Sequence, residues 1–450
     1  MKKVDFEKDT IITNIIQTAL PMLVAQVFSL LYSIVDRIYI GRIEGYGTQA
    51  LGAVGLCFPM ITLIGGFTNM FGLGGAPLFS IALGKNDGRK AGDVLNTAFR
   101  LEITAGVVLM LLGELFAAGI LSVFGAAADE LVFSVPYIRI YLIGTVFTMI
   151  STGMNPYINA HGYASVGMKS VLTGAVSNIV LDPIFIFALG LGVKGAAIAT
   201  VISQFLSMLV VLRFLFGPEN EFKISFQRFF TFSYAKEIIS LGLSPFVMQC
   251  TNSLVSVACN NVLMRTGGAL YVSVMTMISS VRQILDTPIM AVTEGSSPAI
   301  SYNYGAGKFK RVKCAIMIMS VTAIAYTCLM WMLIERFPLL FIRIFSDDAT
   351  LQQLALRPLH LYFLAFVFQA FQYSGQTVFK ALNKKKQTIF FSLFRKVIMV
   401  VPLTFLLPYA FQMGTDGVFL AEPVSNLIGG LACFITMAAT VFPELKKDGA

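Results

Sequence analysis

The sequence predicts an all-α polytopic membrane protein, with twelve transmembrane helices in two six-helix lobes, and three observations predict it. Hydrophobic residues make up 56% of the 450 residues and charged residues only 13%, about half the charged share of an ordinary soluble chain. The apolar residues fall in runs that reach the ~20 residues a helix needs to cross a bilayer. The second half of the chain also echoes the first at a nearly fixed offset. Lipid offers no water to a backbone N–H or C=O, so these runs must be helices rather than open strands. Mean hydropathy is +0.77.

The runs are 14–40, 51–83, 97–124, 132–157, 168–189, 193–216, 236–264, 270–301, 312–345, 351–382, 388–411 and 417–442. The opening MKKVDFEKDTI lacks the short apolar core and small-residue cleavage site of a signal peptide, so the first run reads as a helix that stays. Basic residues alternate with the loops. One set holds Lys85, Arg89 and Lys90, then Lys169, Lys223 and Arg228, then Lys308, Lys310, Arg311 and Lys313, and Lys384 to Lys386. It also includes Lys2, Lys3 and Lys8 at the start and Lys446 and Lys447 at the end. The opposite set has Arg42, Lys194 and Arg265 against Asp129, Glu130, Asp347, Asp348 and Asp416. The basic set belongs in the cytoplasm, with both termini. A net charge of +9 spread over alternate loops does not form a nucleic-acid surface.

Two direct repeats follow from register. Pro77–Lys90 (PLFSIALGKNDGRK) matches Pro298–Arg311 (PAISYNYGAGKFKR), Gly195 matches Gly417, Gly153 matches Gly375, and Pro21 matches Pro245, all at offsets of 221–224. An even number of helices per repeat gives both copies the same topology, related by an axis along the membrane normal, with a cavity expected between them. The expected lobes are 1–216 and 236–450, joined by a polar cytoplasmic linker at 217–235.

Buried polar residues carry the chemistry. Asn178 and Asp182 lie four residues apart in an apolar run, which places them on one helical face, and Pro183 follows at once. An ionisable residue inside a span is a functional-site hypothesis by default. Asp36, from SLLYSIVDRIYIGR, is a second such acid, open also to reading as an interfacial ion pair with Arg37. In the second repeat Asn260 stands opposite Asp36 and no acid matches Asp182, so an acidic pair survives in the first copy alone. A carboxylate in a dry pocket can exchange a proton near neutral pH; ringed by Asn and Thr oxygens, it could instead hold sodium. Glu294, Asp286 and Arg282 are candidate cargo contacts, and Arg282 could pair with Asp286 at i+4. Glu102, Glu114 and Glu335 read as near-interface acids, Glu422 as a weak cavity candidate opposite Thr200, and His161 as a solvated loop residue. The 39 Phe and 21 Met are core by default, although methionine and aromatic faces also suit apolar cations. The six cysteines form no CxxC pair, and no phosphate loop, metal cluster or nucleophile elbow is present, so enzyme chemistry is disfavoured.

Four stretches resemble the MATE (multidrug and toxic compound extrusion) transporters: VDRIYIGR, IALGKNDGRKA, SNIVLDPIFIFALGLGVKGAAIATVISQ and YNYGAGKFKRV. The last looks most like the MepA-like group, near the DinF-like branch. The resemblance implies a V-shaped pair of six-helix lobes and antiport of small organic, cationic amphiphilic molecules against proton or sodium. No other cofactor is implied, and no metal unless sodium binds at Asp36 and Asp182. It implies a multi-pass protein of the cell membrane, taken as a monomer. The DinF-like ion site maps onto Asp36, Asn178, Asp182 and Thr200, and its helix-bending proline onto Pro21, fifteen residues before Asp36. The acids of the NorM-like branch are missing: the seventh helix reads PFVMQCTNSLV, and Gln372 stands in the tenth near the expected aspartate. A lipid-linked oligosaccharide flippase of the same superfamily is the alternative; it would need a strongly cationic cavity, for which Arg282 and Arg395 are the residues to watch.

Overall fold

The computed structural model describes residues 3–123, 128–224, 231–345 and 348–447. Lys2, Arg228, Asp347 and the 225–230 part of the linker lie outside the described residues, as do the side chains of Asp129 and Lys447. Every described element is a helix. In chain order they are α1 (Ile11–Gly41), α2 (Gly47–Gly84), α3 (Gly88–Val123), α4 (Ala128–Ile143), α5 (Thr145–Gly153), α6 (Asn155–Ala160), α7 (Ala164–Pro183), α8 (Gly192–Leu215), α9 (Phe232–Thr266), α10 (Ala269–Gly305), α11 (Phe309–Arg336), α12 (Pro338–Arg343), α13 (Ala349–Phe363), α14 (Val367–Ala381), α15 (Lys385–Leu393), α16 (Val401–Phe405) and α17 (Gly414–Lys447).

Among the described residues, nine helical stretches are long and apolar enough to span a bilayer, and two bent pairs raise the number to eleven. The bent pairs turn by 52° after Ile143 and by 45° after Phe363. The twelfth expected span corresponds to α10, whose 37 residues include Arg282, Asp286 and Glu294; these charges lower its hydropathy.

Duplication is visible in the backbone. A π-helical turn at Ile184–Ala188 follows α7, and another at Leu406–Ala410 follows α16, 222 residues later. Each meets a glycine of the next helix. A Cβ on Gly195 would lie 2.5 Å from the Phe185 carbonyl oxygen, and one on Gly417 would lie 2.7 Å from the Leu407 carbonyl carbon. These glycines allow the return helix to touch the widened turn, as small residues do between helices in lipid.

The chain divides into two compact units, Met1–Val4 with Pro21–Phe246, and Asp5–Leu20 with Val247–Ala450. The borders fall inside α1 at Pro21 and inside α9 beside Pro245, whereas the sequence places them around the 217–235 linker. The polar groups explain the difference. Arg311 donates to the carbonyls of Phe6 and Asp9 at 3.0 and 2.6 Å, and Thr18 donates to the Gly295 carbonyl at 2.6 Å. These bonds tie the start of the chain to the second unit. Arg311, one of the basic loop residues, is therefore bonded into the fold.

The described part of the linker folds onto the first unit. Asn220 donates to the carbonyls of Leu215 and Phe222, Lys3 meets Glu221 at 2.9 Å, and Phe222 packs 5.5 Å from the His161 ring. His161 is consequently buried, 4% exposed, among Phe79, Tyr163, Phe214 and Phe222, and is not the solvated loop residue expected. Burial, with Lys3 adding repulsion, pushes its imidazole down from 6.5 to about 4. The fold thus holds the neutral ring. The unfolded chain takes the proton first as pH falls through 6.5, so this stability is whole above 6.5 and lost towards 4. The melting temperature in detergent is expected to fall across that window, and less steeply in His161→Phe. Equal slopes in the two proteins would contradict the assignment.

Candidate functional site

In the first unit, α7 and α8 run side by side, pinned by a serine pair. The hydroxyls of Ser170 and Ser207 lie 2.8 Å apart and each lies within 3.0 Å of the other's carbonyl, so their two protons make two of these three bonds. That register brings Asn178 opposite Thr200 two turns further on. The Asn178 amide donates to Asp182 Oδ1 at 3.1 Å and to Thr200 Oγ1 at 3.4 Å. Thr200 passes its own proton to the Ala196 carbonyl at 2.9 Å, leaving its oxygen free to accept. Asp182 and Asn178 are 0% and 2% exposed.

Asp36 arrives from α1, and its carboxyl lies within electrostatic reach of that of Asp182. Arg37 turns the other way, its guanidinium 4.7 Å over the Phe58 ring, so the interfacial pairing with Asp36 is not the one adopted. Asp36 Oδ1, Asp182 Oδ2 and Asn178 Oδ1 are buried without a partner. The four residues therefore leave oxygens free to take a proton or to face a hard cation. Among the described residues, no group of three His, Cys, Asp or Glu side chains suits a transition metal.

The other candidates lie in the second unit, where α10, α14 and α17 pack with the helix of α15 and α16. Arg282 Nε meets Asp286 at 3.2 Å, the i+4 pair expected, but its Nη1 also reaches Glu422 at 2.6 Å and the Tyr362 hydroxyl at 2.7 Å. Glu422 Oε1 further accepts from Arg395 at 3.0 Å and Lys396 at 3.1 Å. Gln369 donates to both oxygens of Asp286 at 2.7 and 2.8 Å, and Arg395 donates to Asn426 at 2.5 Å. A third π-helical segment, Phe394–Val400, puts the consecutive Arg395 and Lys396 on one carboxylate, a device that recurs at functional sites. Glu294 stands apart, paired with Lys380 at 2.5 Å. Gln372 is buried and donates weakly, at 3.5 Å, to the Phe391 carbonyl.

The family model described as MatE matches this chain twice, over residues 21–184 and 245–406. The chain belongs to the MatE family. Its members are MATE transporters and not enzymes. Both matches begin at the paired prolines, Pro21 and Pro245. Relatives include the multidrug export protein MepA of Staphylococcus saprophyticus, 23% identical over 96% of this chain and 94% of that protein. MepA of Staphylococcus haemolyticus is 26% identical over 78% and 77% of the two chains. Among solved structures, a MATE protein in its bent conformation aligns over 100% of both chains with a TM-score of 0.92 at 22% identity. A straight conformation aligns over 99% of both chains, with the same score and identity.

The sequence reading of this MATE transporter missed several residues around both sites. Tyr32, Tyr137 and Tyr141 lie within electrostatic reach of Asp36, and Gln204 hydrogen-bonds Tyr141. The i, i+4 spacing of Tyr137 and Tyr141 was the available signal. Glu102, read as near an interface, is fully buried in α3 with both oxygens unpartnered. Glu422, read as a weak candidate, is the hub of the second unit's cluster. Removing its charge leaves Arg395 and Lys396 without a carboxylate and Arg282 with Asp286 alone, which costs on the order of 3–5 kcal/mol. Glu422→Gln is expected to lower stability by that amount in thermal unfolding, and an unchanged melting temperature would refute the hub assignment.

Proposed function

We propose that this MATE transporter is an antiporter coupled to protons or sodium. It exports organic, cationic amphiphilic small molecules across the cell membrane by alternating access, with both termini cytoplasmic. One observation carries the reading: Asp36, Asn178, Asp182 and Thr200, distant in sequence, converge in a buried site with free oxygens. Relatives named as multidrug export proteins support the cargo class.

The cycle follows from the cost of buried charge. Two ionised carboxylates in contact repel and demand water. A proton or sodium ion entering from outside neutralises Asp36 and Asp182 and removes that demand. Helix α1 then bends at Pro21, where the proline leaves a main-chain carbonyl without its helical donor, and it repacks so that the cargo space shrinks. The ion leaves to the cytoplasm and the charges reset the helix. Such a cycle requires the site to bind the ion differently in its two states, because a ligand shifts an equilibrium only by its differential affinity.

The flippase reading gains one observation, the meeting of Arg282, Arg395 and Lys396. Glu422 and Asp286 neutralise two of these three cations in place, which leaves too little positive charge for a pyrophosphate. Export of small molecules is the better fit.

Asp182→Asn keeps the shape of the site and removes its titration. In inverted vesicles, a fluorescent cation should accumulate under a proton or a sodium gradient, imposed separately, and the variant should lose this uptake while inserting at wild-type levels. Gradient-driven uptake by Asp182→Asn at the wild-type rate would defeat the mechanism.

A further inference from the structure

Charge does not balance in the second unit's buried cluster. Arg282, Arg395 and Lys396 contribute three cations, and Asp286 and Glu422 two carboxylates. The charged neighbours that act on Arg282, Asp286, Lys396 and Glu422 all lie within the five, so with all five ionised one positive charge is left over. Buried charges in proteins are paired.

Acceptors are short as well as anions. An arginine has five N–H donors and a lysine three, while a carboxylate oxygen has two lone pairs. Glu422 Oε1 nonetheless receives Arg282, Arg395 and Lys396 together, and its Oε2 has only Lys396 at 3.5 Å. Three cations compete for one oxygen.

The cluster also has an open side. The side chains of Arg282 and Asp286 are 14% and 13% exposed, against 4–6% for Arg395, Lys396 and Glu422. Its place in the repeat is telling too. Glu422 stands where the first copy has Thr200, 222 residues earlier, so the two units use one backbone position for opposite chemistry. Gly429 keeps the space for the Arg395 stem, which a Cβ would approach to 3.2 Å.

We infer that this cluster is a receptor for a single monoanionic group, a carboxylate or a sulfonate, borne by an amphiphilic cargo. The cargo class then widens from cations to zwitterions and acidic amphiphiles. An entering carboxylate supplies the missing negative charge and two further acceptor oxygens, and relieves the competition at Glu422. As a statement about cargo it rests on the proposed export function, and equilibrium binding separates the two.

The probes are dansylglycine and its methyl ester, which differ in one negative charge, titrated by fluorescence onto the full-length protein in nanodiscs of neutral lipid at pH 7. Wild type is expected to bind the acid roughly tenfold or more tightly than the ester, because pairing a desolvated charge contributes at least that much. Lys396→Met keeps the stem and removes the surplus cation, so it should bring the two affinities together without weakening the ester. Asp182→Asn should leave the discrimination intact. Equal affinities in wild type overturn the inference whatever the variants do, and they are the result expected if Lys396 is instead neutral. Discrimination that survives in folded Lys396→Met overturns it too. Preference for the acid without gradient-driven transport would sustain this site and count against the export reading.

Discussion

The amide of Asn178 bonds Asp182 and Thr200 at once, and the rest of the first unit is arranged to make that possible. A single donor spans two helices only if α7 and α8 are fixed in register, which the Ser170–Ser207 pair does two turns away. It holds Asp182 only if the chain beyond stays close, which the π-helical turn and Gly195 arrange. Pro183 closes α7 at the mouth of that widened turn. Sequence position, backbone irregularity and side-chain bonding therefore belong to one device, and Asp36 is the partner brought to it from α1.

Lipid allows two ways to bury a carboxylate, and the duplicated unit uses both. In the first copy the acids face each other with amide and hydroxyl groups around them, so their charge depends on what enters. In the second, Glu422 Oε1 meets Arg282, Arg395 and Lys396, so that carboxylate is paired in place by the fold. A site meant to change charge during a cycle needs the first arrangement. A site meant to attract a group without changing itself needs the second.

How far this was legible from sequence depended on the reach of each interaction. Asn178 and Asp182 share a helix face at i+4, as do Arg282 and Asp286, and both pairs could be read directly. The repeat was legible because prolines and glycines mark backbone needs at fixed offsets, and Gly195 and Gly417 prove to serve the same close approach. What escaped were pairings between distant segments: Glu422 with Arg395 and Lys396, Arg311 with the carbonyls of Phe6 and Asp9, and Phe222 with His161. Each joins residues whose individual positions suggest a loop charge, a weak candidate or a linker. Glu102 escaped for a related reason, since an acid fourteen residues into α3 looks interfacial unless the packing of α5 over it is known.

Pro21 and Pro245 mark where α1 and α9 change allegiance between units, and this bears on how an ion site could act beyond itself. The segment 11–20 of α1 is bound to the second unit through Thr18, while Asp36 lies on the part that belongs to the first. One continuous helix thus joins the acidic site to groups anchored elsewhere. Ion binding at Asp36 that altered the helix at Pro21 would be felt at the Thr18–Gly295 bond without any contact passing through the cores. On the proposed cycle the proline matters because a rigid α-helix would transmit only its own translation or rotation, whereas a helix lacking one main-chain bond bends more readily. Coupling of this kind needs a two-state element biased from both ends, and α1 is the element of the chain with an acid on one side of its proline and an anchored threonine on the other.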